Sequence, residues 1–177
     1  MDERDVFYNQ YIQILKEELH PAMGCTEPIA IAYAAAKARE VLGRYPEKIV
    51  VAVSGNIIKN VKSVIVPHTG GLRGIGAAAA AGVVAGDAGA ELEVLSNVTE
   101  EKQAEIQRFL DRTPIEVRHI ETDHILDIMI HAYAGEESSF VRIASYHTNI
   151  VCIEKNGEKL LEKEILQQND TASDRNV

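Results

Sequence analysis

The stretch Ile75-Gly76-Ala77-Ala78-Ala79-Ala80-Ala81-Gly82-Val83-Val84-Ala85 does most to limit what this chain can fold into. It is small or apolar throughout, yet it supplies only about half of the ~20 residues that a membrane span requires. The spacing predicts a closely packed helix over 75–85, stopped near Gly86-Asp87-Ala88-Gly89. A second alanine-rich run, Ile29 to Leu42, predicts another. Thr26-Glu27-Pro28 precedes it with a capping hydroxyl, an acid for the positive helix end and a proline tolerated in the first turn, and Gly43 closes it.

Around these two runs the punctuation is regular. Arg4 to Leu19 places Phe7, Tyr11, Ile14, Leu15 and Leu19 on one face of an amphipathic helix that ends at His20-Pro21. Ile49 to Val53 is a continuous β-branched run that fits a buried strand, followed by a short helix over 57–63. An extended segment at 64–67 leads into a turn at 68–71. Leu92 to Leu95 reads as a strand, and Asn97 or Thr99 caps a helix with Ile106, Phe109 and Leu110 on its inner face. Strands follow over 115–119, 125–133 and 140–147, the last two joined through Gly135-Glu136-Glu137-Ser138. Asn149 to Glu154 extends the sheet, and Asn156-Gly157 is a strong hairpin signal. The expected class is α+β, alanine-rich helices on a small mixed sheet with an antiparallel hairpin region, as one domain over 1–166. Residues 167–177 are polar and aperiodic, which reads as a tail.

Composition removes several function classes. Eighteen Lys and Arg against 27 Asp and Glu give a net charge of -9, so phosphate backbones and anionic lipid repel the chain. Nucleic acid and membranes are therefore not expected partners. Two cysteines, Cys25 and Cys152, are too few for a disulfide framework, and the charged start lacks a signal-peptide run. A soluble, reduced, cytoplasmic protein is the expectation.

Four places depart from what folding alone asks for. Cys25 stands one residue before a helix cap, where the helix field stabilises a thiolate nucleophile or soft-metal ligand; a small buried residue between helices fits the spacing equally well. Ser54-Gly55-Asn56-Ile57-Ile58-Lys59-Asn60 lies between a strand and a helix, a common place to bind carboxylate or phosphate, and also an ordinary turn. His68-Thr69-Gly70-Gly71-Leu72-Arg73-Gly74 matches neither dinucleotide nor Walker spacing, but His68 and Thr69 add polar groups that a packing turn does not need. Tyr146-His147-Thr148-Asn149 interrupts two apolar segments and lines either a cleft or an exposed edge. Cys152 reads as plain core. His119, Glu121, Asp123, His124, Asp127 and His131 resemble metal ligands by type, yet lack tight pairs and read as solvated surface.

The blocks His20 to Pro28, Ser54 to Asn60, Val66 to Gly70 and His147 to Ile150, in this order, resemble the amino-terminal portion of the L-cysteine desulfidase family, related to the iron–sulfur L-serine dehydratase alpha chain. The resemblance implies a 4Fe–4S lyase that eliminates sulfide from L-cysteine, leaving pyruvate and ammonia. It implies Cys25 as a cluster ligand and Ser54, Asn56, Lys59 and His68 near the reacting atoms. Thr26, Glu27, Asn60, Thr69, Gly70, His147 and Asn149 become contacts for a small amino-acid substrate. Family members are more than twice as long, and Cys152 matches none of their other cluster cysteines. The resemblance thus implies a truncated, inactive segment that needs its carboxyl half from a second polypeptide, or that self-associates. The rival expectation is a non-catalytic module that binds a small amino acid or anion. A third, using Cys25 and His68, is a cysteine-nucleophile enzyme.

Overall fold

A computed structural model describes residues 26–165. The expected helix over 4–19, Cys25 and the tail lie outside the described residues.

Helix α1 spans Thr26–Leu42 and is buried on nearly every side, which its alanines permit. Gly43 ends it at φ 85°, donating its N–H to the Arg39 carbonyl at 2.9 Å, a left-handed position that glycine occupies without strain. Strand β1 (Lys48–Ser54) follows and runs directly into α2 (Gly55–Val61), two residues earlier than the sequence suggests. Helix α3 (Ile75–Ala85) lies against α1 with Gly82 beside Ala32 and Gly86 beside Ala36. Bulk is absent from both helices because their backbones nearly touch.

The strand expected over 92–95 does not form. Asp87 accepts from the Gly89 N–H at 3.0 Å and starts a 3-10 turn, Ala88–Glu93, and Val94 and Leu95 enter the core from the turn that follows. Leu92, Glu93 and Val94 alternate as a strand would, but Glu91 at φ 51° breaks the extended run just before them. Helix α4 (Glu100–Arg112) is capped by Thr99, whose hydroxyl accepts from the Lys102 N–H at 3.1 Å, and it buries Ile106 and Phe109 as expected.

The remaining strands are β2 (Ile115–Ile120), β3 (Asp127–Ala134), β4 (Glu137–Ala144), β5 (Ile150–Lys155) and β6 (Glu158–Glu162). They form one six-stranded sheet with β1, in the order β2-β1-β3-β4-β5-β6. Only β1 and β2 pair in parallel, because α2, α3 and α4 make the long crossover that a parallel pair needs. The α+β class is therefore observed. The β3–β4 loop is the two residues Gly135-Glu136, so β4 starts three residues before its expected position; Ser145, at φ 74°, helps end it. Asn156 and Gly157, both at positive φ, turn β5 into β6 in the mirror-image hairpin geometry that suits strand twist. Among the described residues no helix is long and apolar enough to cross a membrane.

The helices cover one face of the sheet, where Ile49, Val51 and Val53 meet Ile128, Ile130, Val141 and Ile143 in the core. The other face carries no described helix. There His131 lies 4.5 Å, centroid to centroid, from Phe140 and stacks on Tyr133. Burial pushes the His131 pKa down, Arg118 adds to that, and Glu154 opposes it. A base depressed in the fold binds fewer protons there than in the unfolded chain, so stability rises with pH between its folded pKa and about 6.5. Urea midpoints are expected to fall as the pH drops below about 6.5, and His131→Phe is expected to flatten that slope.

Candidate functional site

Parallel pairing brings the ends of β1 and β2 to one edge of the sheet, Ser54 beside Ile120. Antiparallel β3 begins at the same edge, with Ile128 opposite Val53. The chain over 121–126 must therefore fold across the strand ends to connect β2 with β3. Between it and Ser54-Gly55-Asn56 opens a cleft of about 240 Å³.

Three hydrogen bonds and a two-pronged ion pair fix that loop. Ser54 donates its hydroxyl to the Ile125 carbonyl at 2.7 Å. Thr122 donates to Asp127 Oδ2 at 2.8 Å and accepts from the His124 N–H at 3.2 Å. Asp127, 0% exposed, receives both Arg142 Nε at 2.9 Å and Nη2 at 2.6 Å. A buried carboxylate needs such a planar, two-pronged donor to offset its lost hydration.

Gly55 has no positive φ, so its backbone does not ask for glycine. A Cβ there would sit 3.0 Å from His119 Nε2, so glycine is what lets the imidazole lie against the strand end. His119, Glu121, Thr122, Asp123 and His124 line the cleft with Asn56. Two imidazoles, two carboxylates, two hydroxyls and an amide thus surround a space that no described Lys or Arg lines. The wall is rich in hydrogen-bonding groups and acidic in composition.

Of the residues singled out from sequence, Ser54 and Asn56 line this cleft. Lys59 and Asn60 are exposed farther along α2. His68 is exposed at φ 64°, its carbonyl accepting from Gln103 Nε2 at 3.0 Å. Thr69 is buried and closes its own turn, donating to the Val66 carbonyl at 2.7 Å and accepting from the Leu72 N–H at 3.1 Å. Gly70, at φ 78°, faces the Gln103 amide. Asn149 braces the β4–β5 loop, donating its amide to the Ala144 carbonyl at 2.9 Å. His147 is half-buried in that loop, and Thr26 and Glu27 are half-buried in the first turn of α1.

The acidic and imidazole group expected to be plain solvated surface divides three ways. His119, Glu121, Asp123 and His124 converge on the cleft. Asp127 is a correction: it is fully buried and paired with Arg142. His131 is half-buried on the sheet face that no described helix covers. Cys152 is a second correction, half-buried on that same face rather than core, and donating weakly to Glu154 at 3.5 Å. Burial and Glu154 push its thiol pKa up, so it does not suit a thiolate ligand. Cys25 lies outside the described residues, among which no group of three or more His, Cys, Asp or Glu side chains is placed to hold a metal ion.

The chain is 56% identical over 158 residues to a UPF0597 protein of Desulfitobacterium hafniense, a match covering 89% of this chain and 37% of the relative. It is 49% identical over 170 residues to a UPF0597 protein of Lachnoclostridium phytofermentans (96% and 41%), and 45% identical over 156 residues to one of Treponema denticola (88% and 36%). These matches overturn the expected likeness to L-cysteine desulfidase and serine dehydratase, and with it the iron–sulfur lyase reaction. The reading of the chain as a truncated desulfidase segment falls too, because up to 96% of it aligns with proteins of the UPF0597 name. The chain spans about two-fifths of the length of these curated relatives. No family model and no solved structure matches it.

Proposed function

We propose that the cleft at the shared end of β1 and β2 binds a small polar molecule bearing a protonated amine. The convergence of His119, His124, Glu121 and Asp123 around Asn56, with no Lys or Arg among the described residues that line the space, carries this reading. Two carboxylates favour a cationic group, and they disfavour a lone carboxylate or phosphate by like-charge repulsion. The imidazoles can accept a hydrogen bond from the ammonium. A cleft of about 240 Å³ suits a molecule of amino-acid size. The position agrees with the general preference of ligands for the carboxyl ends of parallel strands.

Three probes separate the alternatives: ethanolamine, L-alanine and acetate, each titrated into labelled protein while the histidine ring protons are followed by NMR. Ethanolamine and L-alanine are expected to move the His119 and His124 signals, and acetate to leave them in place. Gly55→Ala, which displaces the His119 ring, is expected to weaken ethanolamine binding about tenfold, the loss of one hydrogen bond to a charged group. Shifts with acetate alone, or none with either amine, would overturn the assignment.

A further inference from the structure

The sheet face turned away from the helices carries a charge pattern that the fold itself does not explain. Strand register places Arg118 of β2 level with Glu162 of β6, through Ala52, Met129, Arg142 and Cys152 between them. The next row places Glu116 level with Lys159, through Val50, His131, Phe140 and Glu154. Each row therefore ends in opposite charges at opposite edges of the sheet, and the sign alternates from one row to the next. All four end residues are about half exposed. Among the described residues they pair along their own edges, Arg118 with Glu116 at 2.5 Å and Lys159 with Glu162. The middle of both rows is mostly uncharged.

We propose that two copies of this chain pack through these faces about a two-fold axis that runs along the strands between β3 and β4. That operation keeps every row at its own level and exchanges the edges, setting β2 over β6 and β1 over β5. Arg118 then faces the partner's Glu162, and Glu116 faces the partner's Lys159, so all four edge contacts join opposite charges. A two-fold axis across the strands would instead set β2 over β2 and, midway between the rows, face Arg118 with the partner's Glu116; reversing Arg118 and Glu162 together would not rescue that arrangement. At the centre, His131 meets the partner's Phe140 and Met129 meets the stem of the partner's Arg142. Ala52 opposes the partner's Cys152, small against small. Face-to-face sheets pack about 10 Å apart with strand directions within about 30°, and alternating edge charges would fix the register.

Sedimentation equilibrium of the whole 177-residue chain tests this. A dimer is expected at ~100 µM, with dissociation promoted by salt as solvent screens the edge contacts. Arg118→Glu alone, and Glu162→Arg alone, are each expected to weaken it at least about tenfold, because two contacts per dimer become repulsive. The double variant Arg118→Glu with Glu162→Arg restores attraction with the signs exchanged, and it is expected to recover most of the affinity. Circular dichroism checks that each variant keeps its fold, which the exposure of both positions favours. A chain that stays monomeric at ~100 µM would overturn the proposal and leave the face to a different partner. A dimer indifferent to the single reversals, or one that the double reversal does not rescue, would overturn it equally.

Discussion

Gly82→Ala is expected to destabilise the protein by more than about 3 kcal/mol, a large share of the ~5–15 kcal/mol that holds an ordinary domain together. A Cβ at this position would lie 2.7 Å from the carbonyl carbon of Ala32 and 2.8 Å from its Cα, and closer still to the carbonyl oxygen. The obstacle is helix backbone rather than the end of a flexible side chain, so only separation of α1 from α3 relieves it. Gly76 provides the comparison within the same helix. A Cβ there meets only Ile115 Cγ2 at 3.8 Å, ordinary contact, so Gly76→Ala is expected to leave stability unchanged or raise it by up to about 1 kcal/mol through helix propensity. Urea unfolding of the pair decides the matter. Equal midpoints would show that the two helices do not touch at Gly82.

Arg142→Ala is expected to cost about 3–5 kcal/mol, since removing one partner leaves a buried charge uncompensated. Asp127 is 0% exposed and, among the described side chains, would keep the Thr122 hydroxyl alone. Arg142→Lys keeps the charge but loses the fork that bonds both carboxylate oxygens, so it is expected to fall between Arg142→Ala and the parent. Adding Asp127→Asn to Arg142→Ala removes the stranded charge and is expected to return a good part of the loss, measured in the same unfolding assay. If Arg142→Ala were neutral, Asp127 would not depend on it.

Much of the fold is legible in the chain because local and tertiary preferences agree there. The end of α1 follows from Gly43, and the β5–β6 turn from Asn156-Gly157, whereas Thr26, expected as a cap, is already helical. Where they disagree, the sequence misleads. Val94 and Leu95 are apolar enough for a strand, yet the Asp87 turn before them takes the chain elsewhere. Cys152 sits in an apolar run, but the period of two turns it to the face that no described helix covers. The cleft was half visible. Ser54 to Asn56 stood out as a strand-to-helix junction, but His119 to Ile125 become its other wall only through the parallel pairing of β1 with β2. No local pattern encodes that pairing, because residues 49 and 115 meet across the whole helical crossover. Asp127 looked like surface for a related reason: its partner Arg142 is supplied by the neighbouring strand.

The parallel seam has one more implication. The hairpins from β3 to β6 close over short distances along the chain and could form early, whereas the seam must wait for α2, α3 and α4 to be laid down between its two strands. The cleft takes one wall from each side of that late junction. No partly assembled species that has completed only the meander contains it, so occupancy of the cleft is a reporter of finished topology as well as of ligand concentration.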